Sequence, residues 1–294
     1  MTQRPILSGV LGALVIAFSG ILVRLAEVSP STAAFFRCLY AVPVLGVLAL
    51  IERRRFGPRS RRDRLLAYGA GALLAADLTL WHHSIEAVGA GLATVLANVQ
   101  VVLVGLIAWA ALGERPDTRS FAAVPVVFVG VVLISGVVGA GAYGDDPGLG
   151  VLYGMLTALA YALFLLVLRQ GNADERPPAG PLFDATVSAA IFSGLGGMIT
   201  ADIDWVPGLE AQLWLVILAL TSQVVGWLLI SVSLPRLPAL VTSILLMLQP
   251  VGSVVLAALL LSEAPSSLQL LGVVVVLGGV AVATLKPRPR AAVA

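Results

Sequence analysis

The chain is poor in charged residues, has a single cysteine, and has one lysine among its 18 basic residues. Only 12% of its 294 residues are charged, about half the fraction found in soluble proteins, whereas 59% are apolar and the mean hydropathy is +1.00. The single Cys38 excludes an internal disulfide and any metal site built from several thiolates. This composition leaves no room for a soluble domain and indicates an integral membrane protein.

Apolar segments of the length that a helix needs to cross a bilayer, roughly 20 residues, follow one another along the chain. Their connections are short and contain breakers such as Ser29-Pro30. The first segment follows Arg4 but has no convincing signal-peptide cleavage site, so we interpret it as a retained helix. The pattern predicts an all-α integral membrane protein whose ten transmembrane helices lie at residues 5–23, 31–51, 65–83, 87–112, 119–138, 148–168, 181–200, 211–232, 238–261 and 267–285.

Two parts of the chain resemble each other. Residues 78–136 match residues 227–285 without a gap. The polar and proline matches pair Gln100 with Gln249, Glu114 with Glu263, and Pro116 with Pro265. We therefore predict two five-helix repeats, residues 1–142 and 143–294, which together form one transport domain. Because five is odd, the second repeat must cross the membrane in the opposite sense. Inverted repeats of this kind are a signature of secondary transporters with a midplane site, although a channel could share the symmetry.

The placement of the basic residues predicts the orientation. With the N-terminus inside, 16 of the 18 basic residues fall in inside segments, seven of them between Arg53 and Arg64. By this count the outside loops hold no basic residue and instead contain Glu86, Asp145, Asp146, Asp202, Asp204 and Glu210. The positive-inside rule then gives cytoplasmic N- and C-termini in a bacterial inner membrane. The arginine-rich loop is expected to touch anionic lipid headgroups and not nucleic acid.

Short motifs support a family resemblance. Leu112-Gly113-Glu114-Arg115-Pro116 follows predicted helix 4, and Leu261-Ser262-Glu263-Ala264-Pro265 follows predicted helix 9, with Ser262 where the pattern has glycine. With Phe36-Arg37, Asp77-Leu78 and Trp81, these segments resemble the EamA branch of the drug/metabolite transporter superfamily. The resemblance implies ten helices in two repeats, with helices 5 and 10 peripheral. It also implies export of metabolites, as by the bacterial exporters of amino acids, including aromatic ones.

Two ionisable residues within predicted spans are the first candidates for a site. Arg37 and Asp77 lie at about the same depth, roughly 9 Å below the outer helix ends at 1.5 Å per residue. One interpretation is a structural ion pair between helices 2 and 3. The other is a site for a zwitterion, because an arginine and a carboxylate together complement the two charges of an amino acid.

Other polar and aromatic residues extend this candidate site. Trp81 follows Asp77 by one helical turn, and Trp227 lies deep in its own span, where an interfacial anchor would not be expected. The substrate-binding candidates are Arg37, Tyr40, Asp77, Trp81, His82, Asn98, Tyr161, Gln223, Trp227 and Ser231. The amides of Gln100 and Gln249 are expected to bond between helices. Pro43, Pro250 and Gly196 are candidate gating hinges.

The two histidines are adjacent, at positions 82 and 83. His82 and Glu86 stand one helical turn apart, but two ligands without a nearby cysteine make a poor metal site, so we predict neither metal nor cofactor. A proton-coupling role of His82 with Asp77 stays open, because imidazole titrates near neutral pH.

Together these features predict a secondary transporter that exports small metabolites, amino acids above all, by alternating access around a cavity between the repeats. The alternatives are an exporter of drugs or other metabolites, or a lipid translocator. An intramembrane enzyme is not favoured, because no convergent acid–base or metal constellation is visible. The expected partners are a small-molecule substrate and the lipid bilayer, without nucleic acid, and the expected state is a monomer.

Overall fold

A computed structural model describes residues 5–113, 118–171, 176–233 and 239–284. Glu114, Arg115 and Pro116 of the first motif therefore lie outside the described residues, as do Arg4, Arg236, Lys286, Arg288 and Arg290. Within the described ranges the chain is helical and contains no β-strand.

The described helices, in chain order, are α1 Pro5–Ala17, α2 Ser19–Ala26, α3 Pro30–Phe56, α4 Arg61–Val88, α5 Ala90–Ala97, α6 Gln100–Leu112, α7 Thr118–Ile134, α8 Pro147–Gly171, α9 Ala179–Thr200, α10 Leu209–Leu218, α11 Trp227–Ser233, α12 Ala239–Leu260 and α13 Ser267–Thr284. A π-helical segment, Ala219–Gly226, joins α10 to α11.

Among the described residues, six helical stretches are long and apolar enough to cross a membrane: Pro5–Ala26, Pro30–Phe56, Ala90–Ala111, Pro147–Gly171, Ala179–Thr200 and Leu209–Ser233. Shorter apolar helices lie at Phe121–Ile134, Leu245–Leu260 and Ser267–Ala283. Large apolar side chains such as Leu65, Phe128 and Val274 stay about two-thirds exposed, at 70, 67 and 67%. An apolar surface of this extent is unfavourable in contact with water and favourable in contact with lipid. The all-α membrane architecture is therefore confirmed.

Three of the described spans are interrupted at points that no sequence pattern indicated. The first span is interrupted at Phe18, the α5–α6 span at Asn98 and Val99, and the α10–α11 span by the π-helical segment. The candidate hinges lie instead in continuous helices: Pro43 in α3, Pro250 in α12 and Gly196 in α9. Interruptions and π-bulges often mark functional segments of helices.

Two groups of polar contacts between helices lie at opposite ends of the molecule. At the arginine-rich end, Arg64 forms an ion pair with Asp184 at 3.0 Å, and Arg59 does so with buried Glu52 at 2.9 Å. At the other end, here called the acidic end, Asp202 and Glu263 accept hydrogen bonds from the first turns of α3 and α5. Arg24, in the last turn of α2, also lies at this end.

Helix α4 is the central helix, packed along α8 and α9. Its close approach to α9 depends on Gly71, where a Cβ atom would lie 2.2 Å from the carbonyl oxygen of Ala185 and 2.5 Å from Cβ of Ser188. Small residues permit such backbone contact between membrane helices. This packing buries the middle of α4, which carries Asp77, Trp81 and His82, against its neighbours.

Candidate functional site

The most polar part of the interior is centred on Arg37 of α3, whose side chain is buried. Its Nε donates a hydrogen bond to Oε1 of Gln223 at 3.0 Å, and one terminal nitrogen donates to Oγ of Ser19 at 3.5 Å. The guanidinium carbon also lies 5.8 Å from the centre of the Trp81 ring, a cation–π distance. A cation at this depth is costly, so its neutral contacts orient it without cancelling its charge.

Gln223 brings a third part of the chain to the site. It is fully buried in the π-helical segment, and its Nε2 donates to Oγ1 of Thr186 in α9 at 3.3 Å. The extra residue of a π-type turn reorients the side chains around it. Ser19, Arg37, Gln223 and Thr186 therefore form one hydrogen-bonded row across both sequence repeats.

Asp77 is buried in α4 and interacts electrostatically with Arg37. The two do not form the direct ion pair that one interpretation of the sequence expected: among the described residues, no carboxylate oxygen lies within 4.0 Å of the Arg37 guanidinium. Nε of Arg37 instead donates to Gln223. The site thus contains a buried basic and a buried acidic side chain that are not paired with each other.

Aromatic rings border this polar row. Trp227 packs edge-on against Tyr161 at 6.2 Å and Phe164 at 5.7 Å, and Tyr161 stacks on Phe164. Tyr40 packs against Phe36, one turn before it on α3, at 5.3 Å. Part of each side chain is left uncovered by protein, because Tyr40, Tyr161 and Trp227 are half-buried.

The remaining predicted residues are less closely associated with Arg37. Asn98 lies at the α5–α6 interruption, and its amide donates within the helix to the carbonyl of Thr94 at 2.9 Å. Ser231 is half-buried in α11. Oε1 of Gln100 is buried and has no hydrogen-bond partner in the described part of the chain, so its expected interhelical bond is not present.

His82 lies between the polar row around Arg37 and the acidic end. Its ring packs near Trp81 at 5.4 Å, and its Nδ1 lies 3.1 Å from the carbonyl oxygen of Pro30. The spacing of His82 with Glu86 does not produce a shared site, because Glu86 pairs with His83 at 3.6 Å. The described ranges contain no group of three or more His, Cys, Asp or Glu residues that could hold a metal ion.

The structure adds residues that sequence reasoning missed or left without a role. Thr186 gave no signal, because a lone threonine in an apolar helix is common. Glu263 gave a signal through its motif, but its contact with α5 could not be inferred. Its buried carboxylate accepts from the backbone N–H of Ala90 at 2.7 Å and of Gly91 at 3.1 Å.

An all-α chain with several bilayer-length helices around a buried polar row has the features of a multi-pass membrane transporter. The comparison with protein families is in agreement. The chain belongs to the EamA-like transporter family, whose model matches residues 3–136 and again residues 148–285. The resemblance read from the short motifs is therefore confirmed.

Two further comparisons agree with this assignment. The chain is 26% identical over 264 residues to the "Uncharacterized transporter YxxF" of Bacillus subtilis (strain 168), covering 87% of this chain and 82% of that protein. It also resembles a solved structure described only as "Crystal structure of protein", with a TM-score of 0.65 and 18% identity, covering 97% of this chain and 99% of that one. The latter similarity concerns the fold alone.

Proposed function

We propose that this member of the family is a secondary transporter that exports amino acids across the bacterial inner membrane by alternating access. The observation that carries the proposal is the state of Arg37: it is buried, it is oriented by Gln223 and Ser19, and it forms no ion pair with a carboxylate of the described residues. An arginine has five N–H donors and pairs with a carboxylate by two parallel hydrogen bonds. The two bonds described here leave donors for the carboxylate of a substrate.

Asp77 supplies the complementary charge. It is buried in the next helix and interacts electrostatically with Arg37 without direct contact. A ligand with a carboxylate and an ammonium group on neighbouring atoms would satisfy both charges. Trp81, Tyr161 and Trp227 would then border the substrate side chain, so we propose a preference for apolar or aromatic amino acids.

We also propose that ten spans form two inverted five-helix repeats, residues 1–142 and 143–294. The gapless match between residues 78–136 and 227–285 supports this arrangement, as do the two separate matches of the family model. The concentration of Arg53, Arg59, Arg64 and Arg176 at one end supports a cytoplasmic position for that end.

The contacts at the acidic end support a structure that is closed toward the outside. Glu263 bonds to the start of α5, and Oγ of Ser253 in α12 lies 3.1 Å from Oγ1 of Thr94 in α5. A Cβ atom on Gly91 would lie 3.0 Å from Cα of Val254, so the two backbones are close. For the substrate to leave, α5 and α12 would have to separate at this end.

The test is transport of a panel of radiolabelled amino acids by proteoliposomes containing the purified protein, with and without a pH gradient. Saturable transport of several apolar or aromatic amino acids supports the proposal, and a gradient effect would identify proton coupling. Protein that is folded by a thermal-unfolding control but moves no amino acid would refute it.

A further inference from the structure

Thr186 of α9 stands at the far end of the hydrogen-bonded row that contains Arg37. Its side chain is fully buried, and its Oγ1 accepts a hydrogen bond from Nε2 of Gln223 at 3.3 Å. Oε1 of the same amide accepts from Nε of Arg37 at 3.0 Å. A single amide group therefore connects the threonine hydroxyl to the guanidinium of Arg37.

The chemistry of these groups fixes the sense of the amide. A guanidinium nitrogen can only donate, so Gln223 must present its oxygen to Arg37. Its Nε2 then faces α9 and needs an acceptor there, because an unpaired buried amide is costly. The hydroxyl of Thr186 is that acceptor. Valine has nearly the same shape but no acceptor, so this position requires the hydroxyl and not only the volume.

The backbone that carries Thr186 is held firmly against α4. A Cβ atom on Gly71 of α4 would lie 2.2 Å from the carbonyl oxygen of Ala185 and 2.5 Å from Cβ of Ser188. Oγ of Ser188 also donates to a backbone carbonyl of α4 at 2.6 Å. Residues on both sides of Thr186 thus fix α9 to α4. Gln223 lies in a π-helical segment, so the hydroxyl of Thr186 gives its side chain a fixed point of attachment.

Helix α4 also carries Asp77, which does not pair directly with Arg37. The two side chains are instead related through α4, α9, Thr186 and Gln223. We propose that Thr186 is a positioning residue, which fixes the separation between Arg37 and Asp77. That separation would select α-amino acids, in which one carbon carries both charged groups, over β-amino acids, in which an additional carbon lies between them. This role rests on the proposed function.

The test is transport of radiolabelled leucine by proteoliposomes, in competition with its isomer β-leucine, whose ammonium group is one carbon further from the carboxylate. The T186V variant should bind leucine about five- to tenfold more weakly, because Gln223 loses the partner that holds its amide. Its preference for leucine over β-leucine should also fall. T186S keeps the hydroxyl and should retain both properties. T200V is the matched control in the same helix, since Thr200 is exposed and its hydroxyl donates to the carbonyl of Gly196.

A double-mutant cycle separates positioning from a merely structural role. Because Thr186 acts through Gln223, the T186V/Q223A variant should have the same leucine affinity and the same preference as Q223A alone. Loss of structure alone would lower the amount of folded protein and the maximal rate, and would leave the preference unchanged. Unaltered affinity and preference in T186V, or effects that add to those of Q223A, would overturn the role of Thr186 while leucine transport stands. Absence of transport by folded, unaltered protein would reject the proposed function, and this role with it.

Discussion

The carboxylate of Glu263 accepts a hydrogen bond from the backbone N–H of Ala90 at 2.7 Å, at the first residue of α5. A second bond, from Gly91 at 3.1 Å, completes a two-pronged contact. The first N–H groups of a helix have no partner within it and carry partial positive charge, so a buried carboxylate is a favourable cap. This contact joins the loop after α12 to the start of α5. In the proposed transport cycle it would hold the acidic end closed.

Replacing Glu263 with Gln should weaken that closure, because it removes the negative charge and one of the two acceptor oxygens. We expect a cost to the closed state of about 1–2 kcal/mol, which shifts the population five- to thirtyfold. The measurement is the rate at which a membrane-impermeant thiol reagent modifies a T94C variant in a C38A background. The matched control is E210Q, which changes an exposed glutamate at the start of α10. Equal rates for E263Q and E210Q would show that Glu263 does not control closure.

Gly89 should tolerate no side chain while Glu263 is in place. A Cβ atom there would lie 2.6 Å from one carboxylate oxygen of Glu263, and the backbone φ of +87° already disfavours other residues. The thiol reagent should therefore modify T94C faster in the G89A variant than in the unaltered background, as we expect for E263Q. In the double variant G89A/E263A the change in the free energy of closure, calculated from the T94C modification rate, should be smaller than the sum of the two single changes. The reason is that the added Cβ no longer meets a carboxylate. Strict additivity in this cycle would argue against direct contact.

The packing of α4 on α9 gives a prediction about stability. The G71A variant places a methyl group 2.2 Å from a backbone oxygen, which should lower the free energy of unfolding by about 1–3 kcal/mol. G69A is the matched control, because no atom lies within 4 Å of its added Cβ and alanine favours a helix. Thermal unfolding in one detergent compares the two. A G71A protein as stable as G69A would contradict the described α4–α9 contact.

Gln223 should act through Arg37. The Q223A variant removes the acceptor that orients Nε of Arg37, so affinity for amino acids should fall, by about tenfold if one hydrogen bond to a charged group is lost. Q212A is the control, since the side-chain amide of Gln212 donates to the carbonyl of Pro207 near the start of α10, away from Arg37. The comparison is the apparent affinity for leucine in proteoliposomes. Unchanged affinity in Q223A would exclude the orienting role.

The sequence was sufficient for the membrane architecture, the family and much of the candidate site. Arg37, Asp77, Trp81 and Gln223 were found because charged, amide and indole groups are rare within apolar spans. Their depth could be estimated from the rise of a helix alone. Rarity and depth are both local properties, so a single chain reveals them.

The hydrogen bonds between these residues could not be predicted. Arg37 was expected to face Asp77, but it bonds to Gln223, which comes much later in the chain and lies in a π-helical segment that no pattern indicated. Thr186 and Glu263 show the same limit, because each contacts an element from a distant part of the sequence. Helix periodicity gives the face of a residue but not which neighbour lies opposite.

The central claim is that the Arg37 guanidinium binds the carboxylate of the substrate. The most direct measurement compares transport of leucine and leucinamide, which lacks the carboxylate, by proteoliposomes with the unaltered protein or the R37A variant. R54A, which changes an exposed arginine of α3, is the control. We predict that the unaltered protein and R54A prefer leucine by roughly ten- to hundredfold, as a charge-assisted hydrogen bond pair allows. R37A should lose that preference. Transport of leucine by R37A at the unaltered rate, with the preference over leucinamide retained, would contradict the claim.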